Sequence, residues 1–221
     1  MSEFTLIERS IARALTRFPL IKKIAKYFFS RLSFYINKTS EKIYTQNFTE
    51  PVIVDEGSFF GYYDKSPESV SGQILTHSTS QNTQNLPDPN VPIDILLLSP
   101  NRKELLRVST NAYNWQQGAR LQWLTDDLFA FNDFDGERYI TRVFSAKKLI
   151  ELERIPLPIQ DGWRDKFFLS INYERLNVLR PDYGYRNKPP LNLSELMSLN
   201  NDGIWIYDMV ACETKLILTL E

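Results

Sequence analysis

The stretch PIDILLLSPNRKELLRVST, residues 92–110, reads as a β-strand, a polar turn and a second β-strand. The same form returns in ERYITRVFSAKKLIELERIPL, 137–157, and in DGIWIYDMVACETKLILTL, 202–220. Between these hairpins lie GQILTHS (72–78), ARLQWLTDDLFAFND (119–133) and DKFFLSINY (165–173), each a further strand region. The first two hairpins begin about 45 residues apart, and the third follows about 65 further on because of an insertion. Four strands repeating every 40 to 50 residues or so is the period of a propeller blade. The expected fold is therefore mainly β: a partial β-propeller of about three four-stranded blades over residues 41–221, preceded by a basic helical segment over residues 1–40.

From residue 50 onward there is room for about three blades, whereas a closed propeller usually needs four or more. The chain is expected to be the front portion of a longer protein, with a complete small antiparallel sheet or sandwich as the competing expectation. An incomplete propeller leaves an exposed β edge that can pair with another chain.

Residues 1–40 differ from the rest in charge. They hold eight Lys or Arg against Glu3 and Glu8, a net of +6, while the remainder carries a net of −7. Apolar residues fall at helical spacing from Leu6 through Ile11, Leu15, Ile21, Ile24 and Phe28 to Leu32, and Pro19 divides the run. No apolar stretch approaches the roughly 20 residues needed to span a bilayer, and no apolar segment followed by a small-residue cleavage site is present. Two readings stand: a helical arm packed on its own domain or a partner, or an amphipathic helix on an anionic membrane surface, with Phe28, Phe29, Phe34 and Tyr35 entering the headgroups. Nothing later offers a basic groove for nucleic acid.

The chemistry available is narrow. A single cysteine, Cys212, excludes an internal disulfide and fits a reducing, cytoplasmic setting. A single histidine, His77, removes most zinc sites built from His and Cys, and any triad has one imidazole to draw on. No Walker loop, dinucleotide fingerprint or nucleophile elbow occurs, so neither a cofactor nor a metal is expected.

Four motifs dense in aromatic, amide and glycine residues stand out: FFGYYDKSP (59–67), NWQQGARLQWL (114–124), FNDFDG (131–136) and SINYERLNVLRPDYGY (170–185). In a propeller the loops at one end of the sheets converge on the axis, where side chains from different blades meet. There Tyr62, Tyr63 and Trp115 would offer flat faces to sugar rings, and Gln116, Gln117, Asn132 and Asp133 would bond hydroxyl groups. Arg120, Arg175 and Arg180 suit a uronate carboxylate or a nucleotide-sugar phosphate. Tyr183 and Tyr185, on the rigid loop RPDYGYRNKPP (180–190), would form a lip. In an enzyme, Asp64, Asp133 or Asp182 would serve as acid or base. Every one of these residues has a structural alternative: aromatic packing between blades, Asp64 with Lys65 as an ion pair or turn, and NDFDG as a hairpin turn before a calcium loop.

The four motifs, in this order, resemble a family of largely uncharacterised bacterial proteins that look like propellers and are often encoded among genes for surface polysaccharide synthesis. The resemblance covers about residues 50–190 and implies a propeller fold in a polysaccharide setting. A more distant similarity to oligogalacturonate lyase propellers would imply a metal held by several histidines, which a chain with His77 alone does not supply. The expectation is a carbohydrate-binding or assembly module in surface polysaccharide biosynthesis, non-catalytic and held at the inner membrane by its basic segment. The alternative is a transferase or lyase acting on that polysaccharide.

Overall fold

The hairpins at 92–110, 137–157 and 202–220 each form half of one of three antiparallel sheets in the computed structural model, which describes residues Ile24, Tyr27, Phe28, Phe29, Arg31, Leu32 and 57–221. The chain divides into two units, Met1–Val52 and Ile53–Glu221. In the first, the described residues are helical and exposed, and the Arg31 guanidinium lies 5.0 Å from the centre of the Tyr27 ring. Phe34, Tyr35 and the break expected at Pro19 lie outside the described residues.

In the second unit the first sheet comprises β1 (Ser58–Phe59), β2 (Ile74–Ser78), β3 (Ile93–Leu98) and β4 (Glu104–Thr110). The second comprises β5 (Gln122–Trp123), β6 (Leu128–Phe134), β7 (Tyr139–Ser145) and β8 (Ile150–Ile155). The third comprises β9 (Asp161–Trp163), β10 (Phe167–Ile171), β11 (Gly203–Asp208) and β12 (Glu213–Thr219). Each is a meander in which strands adjacent in sequence pair. The strand sequences sort by depth. IDILLL of β3 and YITRVFS of β7 are buried almost throughout, whereas ELLRVST of β4 and IELERI of β8 alternate, as strands with one wet face do. Among the described residues β12 pairs with β11 alone and is mostly exposed.

Two expected strand regions are cut by local chemistry. The run 119–133 divides at 124–127, where Thr125 Oγ1 accepts the N–H groups of Asp127 and Leu128 and turns the chain between β5 and β6. The run 165–173 stops at Ile171, because Asn172 Oδ1 accepts the N–H groups of Glu174 and Arg175 and starts helix α1 (Tyr173–Leu179). A second short helix, α2 (Leu193–Met197), opens with a capping box between Asn192 and Glu195. Both helices belong to the insertion between β10 and β11.

Apolar side chains fill the two joints between sheets. Leu75, Ile95, Leu97, Phe129, Phe131 and Phe144 pack the first sheet on the second, and Ala130, Val143, Ile155, Ile159, Phe168 and Tyr207 pack the second on the third. The connections β2–β3, β6–β7 and β10–β11 gather at one end. Thr110 Oγ1 donates to Asn132 O, setting the end of β4 beside the end of β6. From the insertion, Arg186 donates to Pro87 O and Asn187 to Pro89 O and Asn111 O, which clamps it onto the β2–β3 connection.

Candidate functional site

The turn at 114–118 organises this end. Asn114 Oδ1 accepts the N–H groups of Gln116 (3.0 Å) and Gln117 (2.7 Å), while its Nδ2 donates to Tyr183 O across the insertion (2.8 Å). Gly118 closes the turn at φ 58°, and a Cβ there would sit 2.3 Å from the His77 ring. His77 is fully buried. Its Nε2 accepts the Ala119 N–H (3.0 Å), so Nδ1 carries the proton and donates to Phe59 O (3.1 Å). Burial pulls its pKa down to about 4, which keeps the ring neutral. Gly61, at φ 123°, approaches so closely that a Cβ would lie 2.8 Å from Gln117 O, and this contact seats Tyr62, Tyr63 and Asp64 against the turn.

Beneath the turn lies a buried polar lattice. Asn132 is wholly buried, donating to Ile159 O and meeting the Tyr185 hydroxyl (2.8 Å each) while accepting the Ile159 N–H (2.6 Å). Tyr185 stacks on Tyr173 with centroids 4.2 Å apart and parallel planes, and the Tyr173 hydroxyl donates to Gln160 Oε1. Burial raises both phenols well above their ordinary value, so they stay protonated. Arg120, at φ 53° and 3% exposed, donates to Gln160 O and to Asp64 (2.9 Å). Asp64 and Lys65 do not pair with each other as expected: Arg120 takes Asp64, and Lys65 binds Asp161.

Several residues expected at a ligand are thereby spent inside the fold. Asn132 and Arg120 hold the β8–β9 link, and Tyr185 turns inward instead of forming a lip. Asp133 accepts the Thr110 hydroxyl, the N–H groups of Asn111 and Phe134, and Arg142. Arg175 binds Asp202 (2.5 Å) and the carbonyls of the α2 segment, far along the chain from the other motifs. In NDFDG, Asp135 is held below the usual carboxylate range by the N–H groups of Arg138 and Glu137, as a turn-former is.

The others meet at the surface. Tyr62 and Tyr63 lie 4.3 Å apart by ring centroids, Tyr183 meets Tyr62 edge-on at 6.3 Å, and Arg180 sits 4.9 Å over Tyr183. The hydroxyl of Tyr63 chiefly pushes the Tyr62 phenol up to about 12, so it offers a neutral face and a hydroxyl rather than a base. Beside this cluster Trp115, Gln116, Pro181 and Asp182 face Thr83, Gln84, Asn85, Leu86 and Pro87 across a cleft of ≈ 220 Å³. Trp115 packs on Tyr113 and Phe59, and its Nε1 donates to Asn85 O (2.6 Å), fixing the ring. Gln117 is not on this cleft, and its Oε1 is buried with no hydrogen-bond partner among the described residues. The far wall, from the β2–β3 connection, was not among the expected site residues. Its signal was the amide run QNTQN at 81–85.

Among the described residues no group of three or more His, Cys, Asp or Glu is placed to hold a metal ion. No protein-family model, curated protein or solved structure matches the chain.

Proposed function

We propose that the protein is a non-catalytic carbohydrate-binding module, that its three sheets are consecutive blades of a β-propeller, and that the cleft beside Trp115 holds a sugar ring. The observation that carries this is the composition of the cleft. One indole, three amide side chains (Gln84, Asn85, Gln116), the Thr83 hydroxyl and a single carboxylate, Asp182, surround ≈ 220 Å³. A sugar ring has an apolar C–H face and an edge of hydroxyls that both donate and accept, and amides do both as well. The volume is below the ~300–1,000 Å³ of sites that enclose a drug-sized ligand, which favours one ring unit over a whole cofactor.

Acid/base chemistry on a glycosidic bond ordinarily uses two carboxyl groups. Asp182 stands alone among the residues lining the cleft, while Asp64 is paired with Arg120 and Asp133 with Arg142. A lone carboxylate beside amides and a fixed indole favours binding over turnover. The motif resemblance supports a setting in surface polysaccharide assembly, with the basic segment 1–40 resting on the anionic cytoplasmic face of a membrane. Among the described residues no helix is long and apolar enough to cross one.

The test is a glycan array probed with the full chain, its Trp115→Ala variant and its Gln116→Ala variant, each shown to be folded by circular dichroism. Gln116 is exposed, and among the described residues its side chain makes no hydrogen bond, so that variant separates binding from stability. Saccharide binding by the wild type that falls in both variants supports the reading. Absence of binding by a folded wild type, or binding untouched in both variants, overturns it.

A further inference from the structure

We infer that the Trp115 cleft selects a sugar carrying a free ammonium group, a hexosamine without its acetyl group, over uronates and sugar phosphates. This rests on the carbohydrate reading above and names its ligand class.

The stretch RPDY, residues 180–183, folds into a tight turn. Arg180 O accepts the Tyr183 N–H (2.9 Å), and Pro181 and Asp182 occupy the corner, where the proline ring fixes φ in advance. Tyr183 O in turn accepts Asn114 Nδ2 (2.8 Å), which ties this corner to the turn that presents Trp115. Asp182 and Trp115 therefore line one cleft from two linked turns.

The charge of the cleft is one-sided. Among the described residues that line it there is no Lys, Arg or His, and Asp182 is the one carboxylate. The neighbouring guanidinium groups are engaged elsewhere: Arg180 lies 4.9 Å over the Tyr183 ring, and Arg186 donates to Pro87 O. Asp64, Asp133 and Asp202 are each paired with an arginine, and Asp135 and Asp208 accept the N–H groups of their own turns. Asp182 is exposed, and among the described residues its carboxylate has neither an ion-pair partner nor a hydrogen-bond donor. It faces the cleft as a free acceptor for a charged donor.

A ligand carboxylate or phosphate entering here meets like charge with no cation to offset it. A neutral sugar uses the amides and the indole but gives Asp182 no charged partner. An ammonium substituent offers three donors to the carboxylate, and it is drawn to an indole face more than to any other aromatic ring. The Trp115 Nε1 is fixed on Asn85 O, so that face is already held in place. A simple amine shares the charge but lacks the edge of hydroxyls that Gln84, Asn85 and Gln116 would bond.

The experiment follows the Trp115 indole ¹⁵N–H resonance of the full chain, assigned by its loss in Trp115→Phe, near neutral pH. The titrants are glucosamine, glucose, N-acetylglucosamine and glucuronate, with ethanolamine as the ammonium without a ring. Glucosamine is expected to bind about threefold to fivefold more tightly than glucose, the range of a solvent-exposed ion pair, with N-acetylglucosamine close to glucose and glucuronate weakest. Added salt narrows the gap. Asp182→Asn abolishes it without lowering the thermal unfolding temperature, and Asp182→Glu retains it. Silence of Trp115 with every sugar overturns the inference together with the carbohydrate reading, and so does a shift that ethanolamine reproduces in full. Three outcomes overturn the inference alone: glucosamine no tighter than glucose, glucuronate equal to glucosamine, or a preference that survives in Asp182→Asn.

Discussion

Two layers of polar side chains lie at the loop end of the sheets, and single motifs contribute to both. In NWQQGARLQW, residues 114–123, Asn114, Arg120 and Gln122 are buried, whereas Trp115 and Gln116 face the cleft. In RPDYGY, residues 180–185, Tyr185 is buried against Tyr173 while Tyr183 joins Tyr62 at the surface. The lower layer bonds backbone: His77 to Ala119, Asn132 to Ile159, Arg120 to Gln160. It holds the connections in place so that the upper layer is presented by rigid turns. Mutations below should therefore cost stability, and mutations above should cost binding.

The largest effect is expected at Asn132→Ala. Three buried bonds are lost, leaving the Ile159 N–H, the Ile159 carbonyl and the Tyr185 hydroxyl without their amide partner. At about 1–3 kcal/mol for each unsatisfied group, and with some relaxation, the loss is about 4 kcal/mol, a large share of a domain's stability. Urea unfolding at unchanged m-value measures it. A loss below about 1 kcal/mol breaks the distinction, because the lower layer would then not be structural.

His77 gives a pH-dependent version of the same comparison. Its folded pKa of about 4 lies below the ordinary 6.5, so between those values the unfolded chain binds the proton that the native state refuses. Stability is fully present above pH 6.5 and falls by about 3 kcal/mol as the pH drops to about 4. His77→Phe keeps a ring beside Phe59 but loses the acceptor for the Ala119 N–H. It should be less stable at neutral pH, and the gap to wild type should narrow through that window. A constant gap would mean the imidazole is not buried neutral.

The hairpin half of each sheet was legible. The hairpins β3–β4, β7–β8 and β11–β12 are local pairings whose apolar runs and polar turns lie within some 20 residues. The edge strands β1, β5 and β9 were not, since two or three residues such as SF, QW and DGW carry no periodicity. The division of motif residues between layers was hidden for a different reason. Arg120 meets Asp64 from 56 residues away, Asn132 meets Tyr185 from 53, and the β2–β3 wall is clamped by Arg186 from 99. Composition marks such residues as unusual, but only the assembled sheets decide which of them face inward.

Asp64 sits at the boundary and sharpens the comparison. Its carboxylate pairs with an Arg120 guanidinium that is nearly inaccessible, yet its own side chain is 37% exposed. Asp64→Ala leaves Arg120 with the Gln160 carbonyl as its remaining hydrogen-bond acceptor. The cost should be about 2 kcal/mol in thermal unfolding, less than for a wholly buried pair because water still reaches the site. Unchanged saccharide affinity in the folded variant assigns Asp64 to the lower layer; a parallel loss of affinity assigns it to both.

Tyr63 belongs to the upper layer alone and carries the smallest stability effect. It is 87% exposed, and among the described residues its close aromatic contact is with Tyr62. Tyr63→Ala should move stability by less than about 0.5 kcal/mol, as surface substitutions usually do. If the glycan runs from the Trp115 cleft over the tyrosine cluster, the lost ring face costs about 1 kcal/mol, a roughly fivefold weaker association read by titration calorimetry. The cleft and the tyrosine cluster share the 114–118 turn through the bond from Asn114 to Tyr183 O, so a ligand long enough to leave the cleft on that side meets Tyr62 and Tyr63 next. An affinity unchanged by Tyr63→Ala but lost in Gln116→Ala would confine the ligand to the cleft and leave the tyrosines as a cap over the buried lattice.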